Sequence, residues 1–239
     1  MMAQNVADRW VMVPGTLCTA DVFAPLLGCL GVAAGRCQFV VPAAPRVEDY
    51  DARLRAAVTG GEIVCGFSLG ALILAHNLDA LARAKAVVLL ASNPFPDPAG
   101  NRAGREALRD RILRGGARDW VVESWCNMST TPDPALRDTV AAMAEACMHL
   151  IAAQTELAAS RPGAADGLAR CDLPLVFITG AEDRLTPPDP IRNIANQAPW
   201  ADLRVLAGLG HFALLEAPER VARAITDGLA AVTEESPTI

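Results

Sequence analysis

Gly66-Phe67-Ser68-Leu69-Gly70 is the stretch of this chain best equipped for chemistry. It directly follows the apolar run Glu62-Ile63-Val64-Cys65 and directly precedes a second apolar run with helical spacing. A serine on a sharp strand-to-helix turn is held in a strained backbone conformation with its hydroxyl exposed above the sheet. The glycines leave space where side chains would strike the neighbouring strand and helix. The first N–H groups of the following helix favour negative charge at the same spot. Such a five-residue match also arises by chance in glycine- and serine-containing loops, so the strand before it and the helix after it carry the signal. The chemistry would be attack of the Ser68 hydroxyl on a carbonyl carbon.

A serine hydroxyl is a poor nucleophile at neutral pH and needs a base to take its proton. The chain has three histidines. His76 lies eight residues beyond Ser68 on the same predicted helix, roughly 12 Å away at ~1.5 Å of rise per residue, out of hydrogen-bond reach. His149 falls between apolar runs in the middle of the chain, where packing or a surface position explains it. His211 follows the last predicted strand in a loop flanked by Gly208 and Gly210. A carboxylate must then orient the imidazole. Glu182, Asp183 and Asp189 all follow the run Leu175–Thr179, at the carboxyl edge of a sheet where open α/β sites form.

The elements that would position these groups alternate along the chain as in βαβ units, which predicts a parallel sheet. Strands are expected at Trp10–Val13, Gln38–Val41, Ile63–Cys65, Ala86–Ala91, Leu175–Thr179 and Leu203–Leu206. Helices are expected at Ala24–Leu30, Tyr50–Val58, Leu69–Arg83, Pro190–Asn196 and Glu219–Val232. In the last of these Val221, Ile225 and Leu229 share one face. The alternation stops after Asn93-Pro94-Phe95-Pro96-Asp97-Pro98 and resumes at Asp172. The interval has helical patterns near Arg105–Leu113, Ala117–Trp125, Pro134–Glu145 and Leu150–Leu157, and reads as an inserted cap. The expected organisation is a core of residues 1–93 and 171–239 with a helical cap at 94–170.

The 239-residue chain is 52% hydrophobic, 5% aromatic and carries a net charge of −6. It is long enough for one large α/β domain, and its apolar content suits a sheet buried on both faces. No basic stripe points to nucleic acid. No apolar run of membrane-spanning length is present, and the start lacks the apolar core of a secretory signal. The seven cysteines show no metal-type spacing and read as small buried apolar residues in a reducing compartment. The expectation is a cytoplasmic protein with no metal and no cofactor.

Four motifs, taken together, resemble the α/β-hydrolase fold: Val13-Pro14-Gly15-Thr16, the Ser68 turn, Thr179-Gly180-Ala181-Glu182-Asp183 with Pro187, and Gly210-His211-Phe212 with Leu215-Glu216-Ala217-Pro218-Glu219. Within that fold the chain is similar to the carboxylesterase and meta-cleavage-product hydrolase group, including the pimeloyl-carrier methyl ester esterases. The resemblance runs from about Trp10 to Leu229 and is weak in the cap. It implies an α/β-hydrolase fold with a mostly parallel sheet of about six strands, and the catalytic set Ser68, Asp183 and His211, which occur in the order usual for the fold. It also implies an oxyanion hole from the backbone N–H groups of Thr16 and Leu69, with Leu17 as fallback. The chain departs from the family in having Pro14 where histidine is common. It also lacks the usual leading β-hairpin and the glycine-rich turn after Val41.

Leu17, Phe67, Trp120, Trp125, Met128 and Phe212 are the expected walls of an apolar substrate site, in keeping with the usual composition of ligand pockets. Arg102, Arg105 and Arg109 fall in one cap segment, where a solvated helix face explains them equally well. The resemblance implies hydrolysis of a small ester or thioester substrate. The same three residues would also serve a C–C bond hydrolase or a cofactor-free lyase, and a non-catalytic receptor can share the scaffold.

Overall fold

The computed structural model describes residues 8–234. The outer ends of the expected core, 1–7 and 235–239, lie outside the described residues. The sheet contains β1 (Trp10–Val13), β2 (Cys37–Phe39), β3 (Ile63–Phe67), β4 (Ala86–Leu90), β5 (Leu175–Gly180) and β6 (Ala201–Leu206). Their spatial order is β2-β1-β3-β4-β5-β6, and every neighbouring pair is parallel. The four inner strands are buried at each residue, which is why they are written as near-continuous apolar runs.

Successive side chains of a strand point to opposite faces, and the core divides accordingly. Trp10, Met12, Cys65, Phe67, Val88, Leu90, Val176 and Ile178 pack into one apolar cluster. Val11, Val13, Val64, Val87, Leu89, Leu175 and Phe177 pack into the other. The first face is covered by α1 (Ala24–Leu30) and the last helix of the chain, and the second by α2 (Asp51–Ala57) and α3 (Leu69–His76). The chain runs outward from β1 to β2, then returns to place β3 on the other side of β1. Helices α1 and α3 therefore leave β1 and β3 on opposite faces, and the crevice between the two strand ends is where ligands bind in open α/β sheets.

Between β4 and β5 come α4 (Arg102–Arg111), α5 (Ala117–Met128), α6 (Pro134–Ala146), α7 (Ile151–Ser160) and α8 (Ala165–Ala169). The core resumes with α9 (Asp189–Ala195), α10 (Ala213–Glu216) and α11 (Pro218–Glu234). The two ends of this helical segment between β4 and β5 are clamped to each other. Asp97 receives two hydrogen bonds from Arg105 at 2.8 and 2.6 Å and a third from Arg161 at 3.3 Å. Arg161, buried to 6% exposure, also donates to the carbonyl of Phe95 at 2.8 Å.

The structure corrects two expectations. The helix expected over Leu69–Arg83 ends at His76 and is followed by a separate 3-10 turn, Leu78–Leu81. The buried Asn77 side chain causes the break: its amide donates to the carbonyls of Ile73 and Val47, so it caps the helix end and ties it to the loop before α2. The cysteines are not uniformly buried either. Cys18, Cys65, Cys147 and Cys171 are, while Cys29 and Cys126 are exposed. Burial pushes the Cys18 thiol up to about 12. Among the described residues no helix is long and apolar enough to cross a membrane.

Candidate active site

β3 passes into α3 with Ser68 as the only residue between them, at φ 52° and ψ −111°. That turn depends on its glycines. A Cβ at Gly66 would lie 2.6 Å from the Ala71 nitrogen, and one at Gly70 would lie 1.9 Å from the Val13 carbonyl oxygen. Only bare backbone lets α3 start this close to β1. Three non-glycine residues have positive φ among the described residues: Leu17 at 55°, Ser68 at 52° and Ala91 at 49°. All three border one cavity. Each such residue costs on the order of 1–3 kcal/mol, and such strain collects at functional sites.

The loops after β3, β5 and β6 bring three expected residues together. His211 Nε2 lies 3.0 Å from Ser68 Oγ, and His211 Nδ1 lies 2.9 Å from Asp183 Oδ2. The Asp183 side chain has no exposed surface and that of His211 has 6%. Asp183 is held by its own turn: Oδ1 accepts from the N–H groups of Leu185 and Thr186, and Oδ2 accepts from the Thr186 hydroxyl at 2.5 Å. Burial opposes the charged form, but the hydrogen bonds from His211 and Thr186 outweigh it and hold the carboxyl below its ordinary range. An ionised carboxylate here fixes the imidazole with its bare nitrogen toward the serine. Thr186 also stands 3.4 Å from His211 Nδ1. It was not singled out from the sequence, although an Asp followed three residues later by Thr is a recognisable local side-chain-to-backbone turn.

The other carboxylates and histidines lie elsewhere. Glu182 and Asp189 are exposed, as is His149. His76 sits at the end of α3 with its ring nitrogens 2.8 and 2.6 Å from the carbonyl oxygens of Leu72 and Pro162.

The cavity holds about 300 Å³ and is walled by Thr16, Leu17, Phe67, Leu69, Trp120, Met128 and Phe212 around Ser68 and His211. Trp125, expected among the walls, is one layer behind. Its ring stacks on Phe212 at 6.3 Å and its indole N–H donates to the Thr131 carbonyl, an anchor that holds it away from the cavity. Of the three cap arginines, Arg105 reaches the cavity wall. Arg102 pairs with Glu156 and Arg109 with Asp110. Arg161 and Asn93 also line the cavity. Neither has a sequence signature, since the fold alone carries them there from opposite ends of the cap.

Two backbone N–H groups beside Ser68, those of Thr16 and Leu69, have no hydrogen-bond partner among the described residues. The Leu17 N–H is engaged, donating to Gln154 Oε1 at 3.0 Å. The His211 loop is bonded to the cap by its main chain: the N–H groups of His211 and Phe212 both donate to the Met128 carbonyl, at 2.9 and 3.2 Å. Glu216 reinforces this junction by accepting from the N–H groups of Gly210 and Thr130.

A model of the alpha/beta hydrolase family matches residues 9–224, and the chain belongs to that family. No curated protein matches it. Among solved structures it is similar to a thermophilic esterase from Thermogutta terrifontis at 19% identity, covering 95% of this chain and 91% of that one with a TM-score of 0.80. A structure from a study of carboxylesterases in Nitrososphaera gargenis aligns at 16% identity over 97% and 93% of the two chains, with a TM-score of 0.78. The enol-lactonase of Burkholderia xenovorans LB400 aligns at 14% identity over 95% and 93%, with a TM-score of 0.77. At these identities the likeness is one of fold.

Proposed function

We propose that this protein is a serine hydrolase that cleaves a carboxylic ester or thioester of a small, largely apolar substrate through an acyl-enzyme. The observation that carries this reading is the unbroken relay Ser68 Oγ–His211 Nε2 and His211 Nδ1–Asp183 Oδ2, at 3.0 and 2.9 Å. It opens on an apolar cavity beside two uncommitted backbone donors. The esterases and the enol-lactonase that share the fold agree with it.

Ser68 Oγ bonds to the acyl carbon as its proton passes to His211 Nε2, and Asp183 steadies the resulting imidazolium. The carbonyl oxygen becomes an oxyanion met by the Thr16 and Leu69 N–H groups. When the tetrahedral adduct collapses, the bond to the leaving oxygen or sulfur breaks and Nε2 returns the proton to it. Water then attacks the acyl-serine, gives its proton to Nε2, and releases the acid as Ser68 recovers the proton.

Turnover of a short-chain 4-nitrophenyl ester by the Ser68→Ala variant should fall by several orders of magnitude, on the order of 10⁴-fold or more. A small fluorophosphonate should attach once per chain, on the peptide containing Ser68. Near-wild-type activity in the variant, or failure of several small reagents to label, would overturn the reading.

A further inference from the structure

Gln154 lies on the cap helix α7 and is 1% exposed. Its Oε1 accepts from the Leu17 N–H at 3.0 Å, and its Nε2 donates to the Pro42 carbonyl at 3.1 Å. Leu17 and Pro42 belong to the loops after β1 and β2, so one cap side chain joins both. The partners dictate which way round the amide sits. Turned over, it would set its NH₂ against an N–H and its oxygen against a carbonyl.

The turn it grips is an uncommon one for this sequence. The Cys18 N–H donates to the Gly15 carbonyl at 3.2 Å, closing a four-residue turn with Thr16 and Leu17 at its centre. Leu17 has φ 55°, and Thr16 is not among the positive-φ residues. That is the type II arrangement, whose third position normally takes glycine. A leucine there favours the type I turn, which differs by a flip of the Thr16–Leu17 peptide. Gln154 holds that peptide in the flipped sense and removes the Leu17 N–H from the cavity, leaving the adjoining Thr16 N–H as the free donor.

We infer that Gln154 is a positioning residue of the oxyanion hole, by which the cap sets the geometry of the Thr16 loop. The inference rests on the proposed hydrolase reading. Gln154 is not among the residues that line the cavity and its amide bonds only Leu17 and Pro42, so its removal should act on the transition state far more than on binding.

The test compares wild type with Gln154→Leu on a short-chain 4-nitrophenyl ester. Two inhibitors are measured alongside: an aryl trifluoromethyl ketone, which forms an oxyanion adduct on serine, and the corresponding methyl ketone, which binds as an uncharged carbonyl. A hole donor is worth roughly 10²–10³ in kcat, and a misaimed one should cost about 10- to 100-fold. KM and the methyl ketone Ki should stay within about threefold, while the trifluoromethyl ketone Ki rises with the loss in kcat/KM. A rise in KM and in both Ki values with kcat kept would mean a merely structural strut and overturn the proposal. So would a kcat within about twofold of wild type. Gln154→Met is the second variant should the first not fold. Amide exchange in the wild-type protein provides a further arm: the Leu17 amide should exchange at least about 100-fold more slowly than that of Thr16, and equal rates would overturn the proposal. Turnover that survives Ser68→Ala would instead refute the hydrolase reading itself.

Discussion

Glu182 and Asp183 are neighbours in sequence and opposites in environment. Glu182 is exposed, while Asp183 is buried with both oxygens bonded and one of them on His211. Asp183→Asn presents an N–H₂ or a weaker acceptor to the imidazole, favours the wrong tautomer, and should lower kcat on the order of 10³–10⁴-fold. Glu182→Gln should leave kcat within about twofold, as surface changes usually do. Steady-state kinetics of the two variants separate the carboxylates, and a larger loss in Glu182→Gln would refute the assignment. Ser68, Asp183 and His211 were legible in sequence because each sits in a short motif at the end of a strand. Gln154, Arg161 and Thr186 were not singled out. The partner of Gln154 is 137 residues away, and a glutamine at one helical position has the same local signature whether it faces water or a backbone amide.

The elements followed from the sequence where burial wrote them. Inner strands covered on both faces read as unbroken apolar runs, and β1 and α1 fall on their expected residues. The overrun of α3 to Arg83 has a tertiary origin, because Asn77 ends the helix by reaching the Val47 carbonyl in another loop. The turn between β3 and α3 allows a direct test. A methyl group at Gly70 would have to occupy space 1.9 Å from the Val13 carbonyl oxygen. Gly70→Ala should therefore destabilise the protein by about 3 kcal/mol or more, beyond ordinary overpacking. At Gly100 a Cβ meets nothing within 4 Å, and Gly100→Ala should change stability by no more than about 1 kcal/mol. Urea midpoints of the two variants would show whether the first glycine is needed for close approach; similar midpoints would refute that account.

At the scale of the whole molecule, the two ends of the helical segment between β4 and β5 meet at one buried carboxylate. Asp97 and Arg161 side chains are each 3% exposed, and Asp97 also bonds Arg105. Burial works against the Asp97 charge, but the two guanidinium groups overcome it and hold the carboxyl below its ordinary range. Asp97→Asn would leave Arg161 buried with backbone carbonyls alone, and should cost about 3 kcal/mol at neutral pH. Since the folded-state pKa is the lower one, this contribution is complete above the unfolded value near ~4 and is lost as pH falls through the folded value. Urea unfolding from pH 7 down to 3 should show the gap between wild type and variant closing at the acid end. A gap independent of pH would mean that packing, and not charge, holds the joint. The Met128 carbonyl, which receives the main-chain N–H groups of both His211 and Phe212, has a consequence for engineering. The cap is not an interchangeable module. A chimera that grafts a foreign cap between β4 and β5 must reproduce a carbonyl at that point, or the transplanted lid will arrive with the histidine loop unmoored.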